Sequence, residues 1–326
     1  MYIPPFTISA KAINLIAEIS AQIERYAIRL EQEDTLLLRK ANRIKTIHSS
    51  LAIEGNKLTE SEVTDIINGK TIVAPLREIQ EVRNALRAYE AYPSLDAFSS
   101  KDLLKAHGLM MEAINDEAGS FRKGSVGIFS EEKLIHMAPP ANRVPLLIKD
   151  LFEWLKSSKD HLLIKSCVFH YEFEFIHPFS DGNGRIGRLW QSLILGKLHP
   201  MFEHLPIENM VYNNQEEYYN AISQSTKQGD SGAFIDFMLK EILNSLKERQ
   251  GKELGTNVGT EVGTNEDIEN IILNLIRDNS KVTIVELSIL SGRSRRTVVR
   301  VMNRLQSDNK LKRIGSSRNG YWEIIN

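Results

Sequence analysis

Residues 177–188, HPFSDGNGRIGR, lie between two segments that are apolar on nearly every side, LLIKSCVFHYEFEFI and RIGRLWQSLILGKL. This arrangement constrains the fold more than any other feature of the chain. Both flanking segments have the length and all-round hydrophobicity of buried helices, and a polar bend set between two core helices is held rigid. Gly182, Asn183 and Gly184 accept left-handed backbone and can turn successive N–H groups toward one point. The positive end of the helix that begins near Arg185 reinforces them. The result is an anion nest suited to adjacent phosphates. Arg185 and Arg188 share a helix face, and guanidinium suits phosphate oxygens. Asp181 offers a hard oxygen to Mg²⁺. His177 is the natural base, because neutral imidazole accepts a proton near pH 7. No GxxxxGK[ST] string occurs, which excludes a Walker-type loop. No HExxH or thiolate set occurs, which argues against zinc at His177, and His170 reads as a core histidine.

Around this bend the pattern is helical. Apolar spacing predicts helices over 8–30 and about 34–54, the second stopped by Gly55 and Asn56. Thr59 and Glu62 form a capping box for a short helix ending at Gly69. Further helices are expected over 76–91, from Ser99 to about 115, 145–157, 160–175, 215–226 and 231–248. Glycines and prolines between 119 and 145 break the chain into short β-favouring pieces, Val126–Phe129 and Leu134–Met137, read as a hairpin. GTNVGTEVGTN at 255–265 is too glycine-rich for a helix and reads as a linker. Beyond it, helices at 267–278, 283–290 and 294–307 precede two strands around a Ser-Ser-Arg-Asn-Gly turn, the plan of a winged helix-turn-helix. The fold class expected is mainly α, with a small β-hairpin and a C-terminal winged helix. Four regions follow: 1–95 N-terminal helical region, 96–250 core, 251–265 linker, 266–326 winged helix.

A net charge of −1 over 326 residues gives no global pull toward nucleic acid or membrane. No apolar run approaches membrane-spanning length, and the N-terminus lacks the pattern of a secretory signal. Cys167 is the single cysteine, so no internal disulfide forms and a cytoplasmic location is expected. The tail is locally different: residues 281–326 carry ten Lys/Arg against three Asp/Glu, +7. Arg293, Arg295, Arg296, Arg300 and Arg304 fall on or beside the expected recognition helix and Arg318 in the wing. That is the charge footprint of a duplex-DNA reader, and equally a solvated basic face on a module used for protein contacts.

The bend resembles the signature of the Fic family, HxFx(D/E)GNGRxxR. It matches at His177, Phe179, Asp181, Gly182, Asn183, Gly184, Arg185 and Arg188. The likeness extends over roughly residues 1–245. GSFRKGSVGI and HMAPP resemble the family's substrate-positioning flap, and NQEEYYNAISQS its adenine-side helix. The resemblance implies a helical core that transfers AMP from ATP to a Ser, Thr or Tyr hydroxyl of a target protein. It also implies a role for each residue. His177 deprotonates the hydroxyl, and Asp181 holds Mg²⁺ on the α- and β-phosphates. Gly182–Gly184 cradle those phosphates, Arg185 and Arg188 orient the β/γ end, and Phe179 anchors the loop. Ile135, His136 and Met137 line the flap side of the nucleotide. Tyr219 and Tyr218 either flank the base or serve as helix packing. Thr226 stands where some members carry an adenine-side asparagine.

Glu54 ends its helix where the macrodipole disfavours an anion, so it faces either water or a cation. SSLAIEGN resembles the inhibitory motif (S/T)xxxE(G/N) found N-terminal to the core in some Fic proteins. On that likeness Glu54 pairs with Arg188, Ser50 braces the helix, and ATP's γ-phosphate is denied its arginine. Other uses of the same loop stay open: removal of AMP from a modified protein, transfer of another nucleotide monophosphate, or a DNA-binding regulator whose core senses nucleotide. Duplex DNA and a second copy of the chain are the further partners considered.

Overall fold

The computed structural model describes residues 2–30, 35–130, 133–204, 207–254, 265–280, 282–291, 295–308, 310–314 and 321–325. The chain divides into two compact units, Met1–Glu248 and Arg249–Asn326. Among the described residues the first unit is helical apart from one hairpin. Its elements are α1 (Ala10–Leu30), α2 (Thr35–Ile53), α3 (Glu60–Ile67), α4 (Leu76–Ala91), α5 (Ser100–Met111), β1 (Gly127–Ser130), β2 (Lys133–Met137), α6 (Val144–Ser157), α7 (Leu162–Ile176), α8 (Asn183–Gly196), α9 (Ile207–Asn213), α10 (Gln215–Gln228) and α11 (Gly232–Leu254).

Local chemistry accounts for the ends of these elements. Thr59 and Glu62 form the reciprocal capping box: the Thr59 hydroxyl accepts from the Glu62 amide, and the Glu62 carboxylate accepts from the Thr59 amide at 2.8 Å. α2 stops where Gly55 adopts φ +90°, a left-handed conformation that glycine takes without strain. The helix expected from Ser99 to about 115 ends early, at Met111, because Ala113 takes φ +58° and the chain turns. α9 was not expected; it is too short to show helical periodicity.

α7 and α8 are buried along almost their whole length, as their all-round hydrophobicity requires. Phe169, Phe173, Phe179 and Trp190 fill the space about them without solvent exposure. Gly187 sets how closely the two helices approach, since a Cβ there would lie 2.7 Å from Glu174 Oε1 and 3.3 Å from the Phe173 ring. Cys167 lies inside α7, and burial pushes its thiol up to about 12, which fits a packing residue. β1 and β2 pair antiparallel, Gly127 opposite Met137 and Ile128 opposite His136, with an irregularity after Ile128.

The second unit contains α12 (Asn265–Asp278), α13 (Ile284–Leu290) and α14 (Arg295–Ser307), then antiparallel β3 (Leu311–Ile314) and β4 (Tyr321–Ile324). Its separate core includes Ile272, Ile276, Leu287, Val298, Met302 and Leu305. Most of the expected linker, Arg293, Arg318 and the turn between β3 and β4 lie outside the described residues. Among the described residues no helix is long and apolar enough to cross a membrane.

Candidate active site

The bend begins where α7 ends. His177 caps that helix in the left-handed region, φ +49° and ψ +64°, and its amide still donates to Phe173 O at 2.9 Å. A non-glycine residue in this conformation costs roughly 1–2 kcal/mol, so surrounding contacts must hold it. Asn183 closes the loop: its Oδ1 accepts from the Phe179 amide at 2.9 Å, and its Nδ2 donates to Phe179 O at 2.8 Å. The Asn183 side chain is therefore committed to the loop itself. Gly182 caps α8 with φ +83°, and a Cβ there would meet Met111 Sδ at 2.7 Å. The first turn of α8, Asn183 to Arg185, leaves backbone donors unused by the helix.

The charged groups are arranged around this turn. Asp181 is 38% exposed at the mouth, with Arg185 at 3.2 Å and Arg77 at 3.5 Å. Arg185 is almost fully buried and faces Glu81 of α4 at 3.9 Å. Arg188 is buried and donates from Nη2 to Glu54 Oε1 at 2.8 Å and to Ser50 O at 3.1 Å. Burial opposes the Arg188 charge, but Glu54 outweighs it and holds the guanidinium more firmly protonated than usual. Glu54 also lies over the first turn of α8: a Cβ on Gly184 would come within 2.5 Å of Glu54 Oε1 and 2.9 Å of Arg188 Nη1. The anion that the sequence places badly at the end of α2 is thus opposite a guanidinium and the positive end of another helix. Gln215 donates to Ile53 O at 3.4 Å beside it.

Several groups in the site carry no sequence signal. His107 of α5 stacks on Phe179, centroids 3.7 Å apart. Its Nδ1 accepts from the Gly119 amide at 2.9 Å, so Nε2 carries the proton and donates to Asp181 O at 3.0 Å. Burial lowers its pKa to about 4, keeping it neutral. Glu174 is buried below the bend, Oε2 3.8 Å from His177 Nδ1; burial pushes it up to about 8, against the pull of Arg188. Arg122, 2% exposed, donates to backbone carbonyls around His177. The His107 bonds to Gly119 and Asp181 and the Arg122 bond to His177 span 12 to 74 residues in sequence, beyond the reach of periodicity or motif spacing.

The remaining expected positions divide. Met137 on β2 is 60% exposed, and β2 lies beside α10. Ile135 and His136 lie in the same strand, His136 opposite Ile128, but their side chains lie outside the described residues. Tyr218 is buried and its hydroxyl bonds His170 Nε2 at 3.0 Å. His170 is a core histidine, its Nδ1 2.6 Å from Gln191 Oε1. Tyr219 is half-buried; burial first, then the Glu54 carboxylate, raises its pKa. Thr226 Oγ1 lies 3.2 Å from Tyr171 OH. Among the described residues no group of three or more His, Cys, Asp or Glu forms a metal cage. A lone, half-exposed carboxylate such as Asp181 suits a hard cation that arrives with phosphate oxygens supplying its other ligands.

In the second unit, Arg295, Arg296 and Arg300 are exposed on α14. Arg304 is engaged internally, 3.4 Å from the buried Glu269, and Arg313 covers the Trp322 ring at 4.7 Å.

Comparison with known proteins gives three kinds of likeness. Residues 97–195 match the sequence model of the Fic/DOC family. A crystal structure of a Fic family protein from Desulfovibrio desulfuricans G20 is 41% identical, covers 100% of this chain and 99% of that one, and superposes with a TM-score of 0.76. Fic-1 from C. elegans, 20% identical, covers 76% of this chain and 74% of that one with a TM-score of 0.59, a likeness of fold. Among curated relatives, a probable protein adenylyltransferase of Aquifex aeolicus is 25% identical over 218 residues, 67% of this chain and 60% of that protein. The protein adenylyltransferase Fic of Aedes aegypti is 26% identical over 230 residues, 66% of this chain and 44% of that protein. The chain thus spans about half the length of the curated relatives it matches.

Proposed function

Because the chain belongs to the Fic family, we propose that it is a protein adenylyltransferase held in check by Glu54. ATP lies with its phosphates on the Gly182–Gly184 turn and its β/γ end toward Arg185 and Arg188. His177 takes the proton from a Ser, Thr or Tyr hydroxyl of a target protein. That oxygen bonds to the α-phosphorus, the bond from the α-phosphorus to the bridging oxygen breaks, and pyrophosphate leaves. Asp181 would hold Mg²⁺, whose chemistry is to neutralise phosphate charge when bound. The reading rests on one observation: a single short bend brings together an imidazole, the first turn of a buried helix and two buried arginines. In the present arrangement Glu54 occupies Arg188 and lies over that turn, which supports the braked form.

The test is labelled ATP with Mg²⁺ and cell lysate. Glu54→Gly protein is expected to label itself or a target at least about tenfold faster than the unaltered chain. His177→Ala in that background keeps ATP binding and loses about 10²–10⁴ of the transfer rate. Equal labelling with and without Glu54 sinks the brake, and no transfer from the Glu54→Gly protein sinks the activity. Release of label from pre-modified protein favours the reverse reaction instead.

A second reading concerns the second unit, which we infer to be a winged helix that binds duplex DNA. Its support is the exposure of Arg295, Arg296 and Arg300 together on α14. Replacing all three by alanine should weaken duplex binding at low salt and flatten its salt dependence. A mobility shift equal to that of the unaltered chain counts against it.

A further inference from the structure

We propose that Arg122 is a positioning residue that fastens both ends of the β1–β2 hairpin to the backbone of His177, so that the hairpin and the imidazole are held as one body. The inference rests on the adenylyltransferase reading for what the hairpin presents; its geometry stands independently.

Arg122 is 2% exposed, and among the described residues no carboxylate is paired with it. A buried guanidinium without a counter-charge is costly unless its donors are all used. Here each of its three nitrogens donates to a backbone carbonyl. Nε donates to His177 O at 2.7 Å, and Nη1 to Gly124 O at 2.7 Å. Nη2 donates to Pro139 O at 2.5 Å and reaches Ile176 O at 3.4 Å. The Arg122 amide adds a bond to Pro178 O at 3.0 Å.

These acceptors come from three places. Ile176 O and His177 O belong to the C-terminal end of α7, where carbonyls lack helical partners and the dipole is negative. Gly124 precedes β1 and Pro139 follows β2, and between them the Ala138 amide donates to Val126 O at 3.2 Å, closing the hairpin's base. One planar fork therefore caps the helix that carries the base and ties down both feet of the hairpin. It also helps hold His177 in its left-handed conformation. A lysine ammonium, a point donor, cannot span three separated carbonyl groups as a guanidinium does.

None of the described Arg122 contacts reaches Asp181, the Gly182–Gly184 turn, Arg185 or Arg188. Loss of Arg122 should therefore separate transfer from nucleotide binding. The experiment uses the full chain in the Glu54→Gly background, with Arg122→Ala and Arg122→Lys. Expected results are ATP affinity within about twofold of the parent and labelling reduced about ten- to a hundredfold, as an ångström-scale misplacement costs. Hydrogen exchange should rise together in residues 124–139 and 177–179 while α8 stays protected. Millimolar guanidinium ion should partly restore labelling to Arg122→Ala.

Labelling at the parent rate overturns the proposal. So does a loss of ATP affinity parallel to the loss of labelling, or unchanged exchange in the hairpin. Should Arg122→Ala fail to fold, Arg122→Lys carries the same readouts. Should the parent transfer no label, the enzymatic reading fails while the exchange experiment still decides whether Arg122 couples hairpin and helix.

Discussion

At the scale of single residues, a carboxylate against Arg188 both neutralises a buried cation and covers the helix turn to which the proposed reading assigns the phosphates. Glu54 does both at 2.8 Å from the guanidinium. Glu54→Gln keeps the shape but removes the charge. It should give labelling between the unaltered chain and Glu54→Gly, measured with the same labelled ATP. The bend's own residues were legible in sequence because their chemistry and spacing are local. His107, Arg122 and Glu174 were not, since each reads alone as an ordinary helical or loop residue. His107 shows what was hidden: it stacks on Phe179 and donates to the Asp181 carbonyl, so it shapes the loop.

At the scale of elements, α7 and α8 decide where the bend points. Their packing depends on Gly187, which the sequence shows only as the unassigned glycine of GRIGR. Gly187→Ala forces its Cβ against Glu174 and Phe173. It should destabilise the first unit by about 1–3 kcal/mol, read as a Tm fall of roughly 2–4 °C per kcal/mol. Thermal denaturation of the full chain checks it; an unchanged Tm would mean the two helices separate freely. Helix positions were largely readable, as α4 over 76–91 and the capping box at Thr59 show. Ends set by backbone conformation, such as the stop at Met111, were not.

At the scale of the whole molecule, buried ionisable groups link stability to pH. Burial lowers His107 and His170 to about 4, so their contribution is present above 6.5 and is lost as pH falls toward 4. Glu172 and Glu174 are raised by burial to about 7 and about 8. Their contribution is full below 4.5 and is lost as pH rises through those values. Together the four groups place greatest stability at about pH 5–6. Glu174→Gln should flatten the decline in Tm between pH 6 and 8; an unaltered decline would show that Glu174 is already ionised.

The sequence alone determined the mainly helical class and which residues share the bend, because a glycine turn, a histidine and two arginines at fixed spacing depend only on neighbours along the chain. It also marked Glu54 as an anion that faces either water or a cation. Tertiary structure put Glu54 against a cation, the Arg188 that the family resemblance implied, and placed Arg122 and His107 around the bend. Those contacts join segments tens to more than a hundred residues apart, and only packing of the helices brings them within hydrogen-bond distance.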